Sequence, residues 1–385
     1  MAVATKKKPV VTNVWDDATL EPQRLIGDPE ADAVIADLAA SGSIKAVNQL
    51  MKRLVENDGI PPDGLPASVR QFLDQSAVLP AWADRRKIKR GEQLFWRHGP
   101  QMIVNLFCHS LPFCYAARKG VQVLALTSRL YTNPTRRIIE TAQMIVDVMQ
   151  PGGLGRDGAG IRSCQKVRLM HVGVRHQIAV HGPWDPTFGT PINQEDLGAT
   201  MLSFSWAIID GLRRMGHDVS DADAEAYLHC WKVIGHILGV DATMMPTNYA
   251  DAEAMARAIQ QRQYAACPEG RLMTRALIEM MQHHIPGTLF DRVPEILVRF
   301  YIGAEYADLL GVKRTLLGTA VLRPLKLINP LLDEAEDASF VLQHLGAMFS
   351  RRLIEGLLFA SRGGQRAPFS IPTELRQTWG VNWTP

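Results

Sequence analysis

Apolar residues along this chain recur every three or four positions almost throughout, and no run of alternating β-branched residues lies between turn signals. That spacing gathers apolar side chains on one face of a helix and leaves a sheet nothing to bury, so the sequence predicts an all-α fold. The helical segments are expected at Asp32–Leu38, Ile44–Glu56, Ser68–Ser76, Arg85–His98, Met102–Ala117, Pro134–Met149, Ile161–Ala179, Asn193–Met215, Asp221–Leu238, Tyr249–Gln263, Arg271–His283, Pro294–Leu310 and Asp333–Phe359. Their punctuation agrees. Asn133-Pro134 offers a cap followed by a proline where the first helical turn tolerates one. Ser220 and Asp223 form a pair resembling a capping box, and Gly239 closes the same helix. No linker, repeat or low-complexity tract divides the chain, which reads as one large helical domain.

With 42 Lys and Arg against 39 Asp and Glu, the net charge of +3 provides no dense basic field for nucleic acid. The five cysteines, at 108, 114, 164, 230 and 267, show no CxxC spacing, which excludes a zinc knuckle and a disulfide framework and fits a reducing compartment. Pro9, Asp16 and Asp17 interrupt what would be the apolar part of a secretory leader, and no transmembrane-length apolar run occurs. The expectation is a cytoplasmic protein without an integral membrane segment.

The most informative stretch is Ile161 to His181. At 100° per residue, Arg168, His171 and Arg175 fall within about 60° of one another over two helical turns. Such a face suits a haem, the imidazole reaching the iron and the guanidinium groups meeting the propionates. It also suits a surface face with an incidental histidine. Leu169, Met170, Val172 and Val174 argue for burial, and buried Arg and His need an anionic partner, whether a porphyrin edge or an Asp or Glu elsewhere in the chain. His171, His176 and His181 turn about 140° at each step and form no zinc triad. His229 with His236, and Cys164 with His171, share faces and are second-choice ligand pairs. On the preceding helix Arg137, Glu140, Thr141, Met144 and Val148 line one side, either as a polar end facing a cofactor or as an ordinary Arg137–Glu140 ion pair.

RxxxT at Arg137 and Thr141, KVRLMHVGVR at Lys166 to Arg175, INQEDL at Ile192 to Leu197 followed by TMLSF, and WKVIGHILGV at Trp231 to Val240 occur in this order. Together with KIKRGEQLFWRHG at Lys87 to Gly99, they resemble the rubber oxygenase (latex clearing protein) and mpaB oxygenase catalytic-domain family. The resemblance implies a globin-reminiscent helical core with non-covalent haem b, and the absence of CxxCH agrees. It implies His171 as the iron ligand, Arg168 and Arg175 as flanking cofactor-binding residues, and Arg137, Glu140 and Thr141 as the catalytic distal group. Glu140 stands where latex clearing proteins carry a lysine, and Val121 where they place an acidic residue. The implied function is a haem-dependent oxygenase using O2 on a small apolar, isoprenoid-type molecule rather than rubber; the alternative is a non-catalytic haem- or lipid-binding helical protein. The implied division is an N-terminal helical extension (1–79), a catalytic domain (80–320) and a C-terminal helix with an irregular tail packed on it (321–385).

Overall fold

The computed structural model describes residues 11, 13–40, 66–127, 134–156, 158–284 and 291–314, with Phe349 and Ile354. Among these residues there is no strand, only one isolated antiparallel bridge between Ala117 and Tyr264. The fold is all-α, as the periodicity predicts. After two short turns at Asp17–Leu20 and Glu21–Leu25 come α1 (Pro29–Ala40), α2 (Ala67–Ser76), α3 (Arg85–Asn105), α4 (Leu111–Ala116), α5 (Val121–Leu126) and α6 (Pro134–Met149). Then follow α7 (Ala159–His181), α8 (Gln194–Phe204), α9 (Trp206–Arg214), α10 (Asp221–Ile237), α11 (Tyr249–Gln263), α12 (Pro268–His284) and α13 (Val293–Leu309). No helix among the described residues is long and apolar enough to cross a membrane.

Three departures have local causes. The break expected at Gly99-Pro100 is a kink: His98 leaves helical geometry (φ −119°, ψ 15°), because Pro100 has no N–H to donate and its ring crowds the turn before it. The chain then continues through a π turn, Leu106–Ser110, into α4. The long helix expected over Asn193–Met215 is two helices that part at Ser205 (φ −109°, ψ −76°), whose hydroxyl donates to the Met201 carbonyl at 2.8 Å. The turns at 17–25 and helix α5 were not expected from the periodicity. The helices expected at Ile44–Glu56 and Asp333–Phe359, and the tail, lie outside the described residues apart from Phe349 and Ile354.

The caps predicted at Ser220 and Gly239 form; Asn133 lies outside the described residues. Ser220 Oγ accepts from the Asp223 amide at 3.1 Å, and Gly239 takes φ +89°, the left-handed value that a glycine adopts without a Cβ penalty.

One large core joins α3 to α13. A second, smaller core gathers Ala31, Val34, Ile35 and Leu38 of α1, Val69, Phe72 and Leu73 of α2, and Leu169 and Val172 of α7. Helix α7 is therefore covered on two sides: Ile161 and Cys164 join the main core, while Leu169 and Val172 meet the α1–α2 pair. This double covering is why its polar face is buried although α7 carries seven Arg, Lys and His residues.

Candidate functional site

Arg168 and Arg175 are buried, at 5% and 6% exposure, and His171 between them is half-buried. Carboxylates from 140 residues earlier meet the arginines. Arg168 donates through Nε to Asp28 Oδ2 at 2.6 Å, and through Nη2 to Asp28 Oδ1 at 2.8 Å and to Glu30 Oε2 at 2.7 Å. Its guanidinium also lies over the Phe72 ring, 5.1 Å from the centroid. Burial works against its charge, but Asp28 and Glu30 outweigh burial and raise its pKa. Arg175 donates through Nε to Asp32 at 2.8 Å and through Nη1 to the Ile192 carbonyl at 3.2 Å, while its Nη2 is buried without a hydrogen-bond partner. Of the two outcomes open in the sequence, an acidic residue elsewhere in the chain is the one seen for Arg168. Arg175 keeps one donor uncommitted.

Asp28 stands just before α1 and Glu30 and Asp32 in its first turn, where acidic residues also favour the helix dipole. The approach is close: a Cβ at Gly239 would stand 2.3 Å from Asp28 Oδ2 and 2.7 Å from Arg168 Nε. The INQEDL motif closes the arrangement. Ile192, at φ +53°, is the one non-glycine residue with positive φ among the described residues, and its strained peptide directs the carbonyl to Arg175. Asn193 caps α8. Gln194 is buried and donates to the Gly27 and Gly239 carbonyls at 2.7 and 2.9 Å while accepting from the Asp241 amide at 2.8 Å. Glu195, fully buried, accepts from Arg24 at 3.2 Å and Arg262 at 3.1 Å, and both its oxygens accept from Gln263 Nε2, at 3.2 and 3.1 Å. Desolvation raises the Glu195 pKa to about 7, despite Arg24. Ile192, Gln194 and Glu195 thus tie together the N-terminal segment, α7, the connection after α10 and α11.

On the other side of α7 stands α6. Ser163 Oγ donates to Asp147 Oδ2 at 2.5 Å, which fixes the register of this antiparallel hairpin. Glu140 lies seven residues before Asp147, and His171 eight after Ser163. At 1.5 Å per residue both sit about 10–12 Å from that tie, so Glu140 and Thr141 stand level with His171. Glu140 and Thr141 are half-buried; the Arg137 side chain lies outside the described residues. Beside α6, Ala142 and Ile145 line a small apolar cavity with Phe95, Ile103, Phe204 and Trp231.

The second-choice ligands are placed elsewhere. His229 and His236 both turn their edges to Trp82, at 5.7 and 6.0 Å between ring centroids, and Cys164 is buried with its thiol pushed up by desolvation. Among the described residues no group of three or more His, Cys, Asp or Glu could hold a metal ion. A haem needs only one axial protein ligand and donors for its carboxylates, and His171 with the uncommitted Nη2 of Arg175 fits that requirement. Sequence reading passed over Arg24, Asp28, Asp32, Gln194 and Glu195; the acidic run Asp28, Glu30, Asp32 was the available signal, but nothing local pairs it with α7.

A rubber oxygenase from Streptomyces sp. (strain K30) is 29% identical to this chain over 300 residues, 75% of this chain and 71% of its own. A latex clearing protein solved in its closed state matches with a TM-score of 0.67 and 25% identity, over 94% of this chain and all of that one. Residues 105–327, which carry the RxxxT, His–Arg, INQEDL and WKVIGHILGV segments, match the catalytic domain described as ER-bound oxygenase mpaB/B′/rubber oxygenase, and this chain belongs to that family of oxygenases.

Proposed function

We propose that the chain is a haem b-dependent oxygenase which uses O2 to cleave a carbon–carbon double bond of a small apolar, isoprenoid-type substrate. Both oxygen atoms end in the two carbonyl groups formed as the double bond breaks, so the reaction needs no external reductant. The bound haem supplies the centre at which O2 is activated. His171 would hold its iron from α7, and the buried Nη2 of Arg175 would donate to one of its carboxylates. Arg168 holds α1 against α7 through Asp28 and Glu30, so the extension (1–79) serves the site carried by 80–320. From α6, Arg137 and Thr141 donate hydrogen bonds on the reacting side, and Glu140 orients Arg137 one turn before it. Ala142 and Ile145 on the same helix pack among apolar side chains, Phe95 and Phe204 included, which disfavours water on this side. With five free cysteines, the cytoplasm suits the chain.

The observation that carries this reading is the unpartnered buried Nη2 of Arg175 one turn from His171; helical rise counted from the Ser163–Asp147 bond supports it by bringing Glu140 and Thr141 to a similar height. His171→Ala should lose the Soret band and bound haem while keeping the far-ultraviolet circular dichroism of the wild type. Stoichiometric haem with an unchanged ferric spectrum would overturn the assignment and move the ligand to His229 or His236. Oxygen uptake with a prenyl substrate by the haem-loaded wild type tests turnover; its absence would leave haem binding alone.

A further inference from the structure

The loop between α2 and α3 presents apolar side chains to solvent directly beside a cluster of cations. Val78 is 62% exposed and Trp82 45% exposed, with Ala81 exposed and Leu79 and Pro80 half-buried between them. Helix α3 then opens with Arg85, Arg86, Lys87, Lys89 and Arg90, all exposed, around the inward-facing Ile88. Arg90 pairs with Asp223 at 2.8 Å; among the described residues no carboxylate forms an ion pair with Arg85, Arg86, Lys87 or Lys89. Trp82 is propped outward by its neighbours. Lys232 Nζ lies 5.8 Å from its ring centroid, and His229 and His236 pack against it edge-on. His229 Nε2 in turn accepts from the Asp84 amide at 2.8 Å, fixing the loop where it enters α3.

Two features need an outside partner. Cations in the opening turns of a helix stand at the positive end of its dipole, and the one acidic group there, the N-cap Asp84, is taken up by the Arg86 and Lys87 amides at 2.8 and 3.4 Å, leaving five cations to a single carboxylate. Solvent-facing Val78 and Trp82 gain nothing from one another. We propose that this surface docks on an anionic lipid bilayer, the loop apolar groups entering the headgroup boundary and the α3 cations meeting lipid phosphates. A tryptophan beside aliphatic residues suits the interface, and each nearby Lys or Arg strengthens adsorption to an anionic leaflet about five-fold. Single-stranded nucleic acid suits it less: Lys232 covers one face of the ring, and Val78, Leu79 and Pro80 offer a base no hydrogen bond. This docking stands independently of the oxygenase reading.

The test is flotation of the purified full-length protein with vesicles of phosphatidylcholine, with and without phosphatidylglycerol, at moderate salt. The wild type should float with the anionic vesicles and lose binding as salt rises. Arg85→Ser with Arg86→Ser and Lys89→Ser should lower the partition coefficient about a hundred-fold, and Val78→Ser with Trp82→Ser at least ten-fold. Leu272→Ser, which removes an apolar residue 43% exposed elsewhere, should leave it unchanged. Brominated lipid should quench the wild type more than Trp82→Phe. Absence of binding at low salt, equal binding to neutral vesicles, insensitivity to the arginine and lysine changes, or binding only to a single-stranded oligonucleotide would each overturn the proposal.

Discussion

Replacing Arg168 by Met removes the charge and the hydrogen bonds while keeping an unbranched stem against Phe72. The carboxylate left behind, Asp28, belongs to a pair whose side chains are 4% and 6% exposed, and water does not replace its lost partner. Stranding one member of such a buried pair costs about 3–5 kcal/mol. Glu30 is 56% exposed and recovers its hydration, so its share stays below about 1 kcal/mol. Asp28→Asn leaves a neutral acceptor for Arg168 and should cost about 2 kcal/mol, whereas the double variant should be more stable than the sum of the two losses by about 2 kcal/mol, because no buried charge is stranded. Urea unfolding followed by circular dichroism gives all four free energies. A loss below about 1 kcal/mol in Arg168→Met, or strictly additive losses, would refute the clamp. Haem per folded protein separates the two arginines: it should hold in Arg168→Met under native conditions and fall in Arg175→Met, whose Nη2 alone is uncommitted.

Glu195 gives a pH signature. Burial lifts its pKa from 4.5 to about 7, so folding takes up a proton between those values and stability should fall as pH rises through that window; Glu195→Gln should flatten most of that slope in unfolding midpoints measured from pH 4.5 to 7.5. Gly239→Ala places a methyl group against the Asp28–Arg168 pair at a backbone φ of +89°, and should cost about 3 kcal/mol or more by urea unfolding, with a wild-type value excluding the close approach.

The helical class, the caps at Ser220 and Gly239 and the grouping of Arg168, His171 and Arg175 on one face are local properties, fixed within one or two turns, and the sequence displays them directly. What periodicity cannot display is which distant element meets a face. It marks α7 as buried, and Leu169 and Val172 are covered as expected, but the cover is α1 and α2 rather than more of the main core. Likewise nothing local shows that Asp28, just before α1, and Asp32 in its first turn hold Arg168 and Arg175. The split at Ser205 and the kink at His98 depend on a serine back-bond and a proline whose effects a hydrophobic pattern averages away.

The INQEDL segment shows why a motif can be recognised without its physics being known. Its acidic and amide residues look like candidates for chemistry, yet Gln194 spends its amide on the Gly27 and Gly239 carbonyls and the Asp241 amide, and Glu195 is enclosed by Arg24, Arg262 and Gln263. The work of the segment is to hold residues 24–32 where their carboxylates can reach α7. Arg168 is then neutralised twice, by Asp28 and Glu30, while Arg175 meets a single carboxylate, Asp32, together with the Ile192 carbonyl. The balance of charge beside His171 is therefore set from the N-terminal segment: drawing Asp28 away would uncover a cation on α7, and an added anion at Arg175 Nη2 would need no existing pair to break.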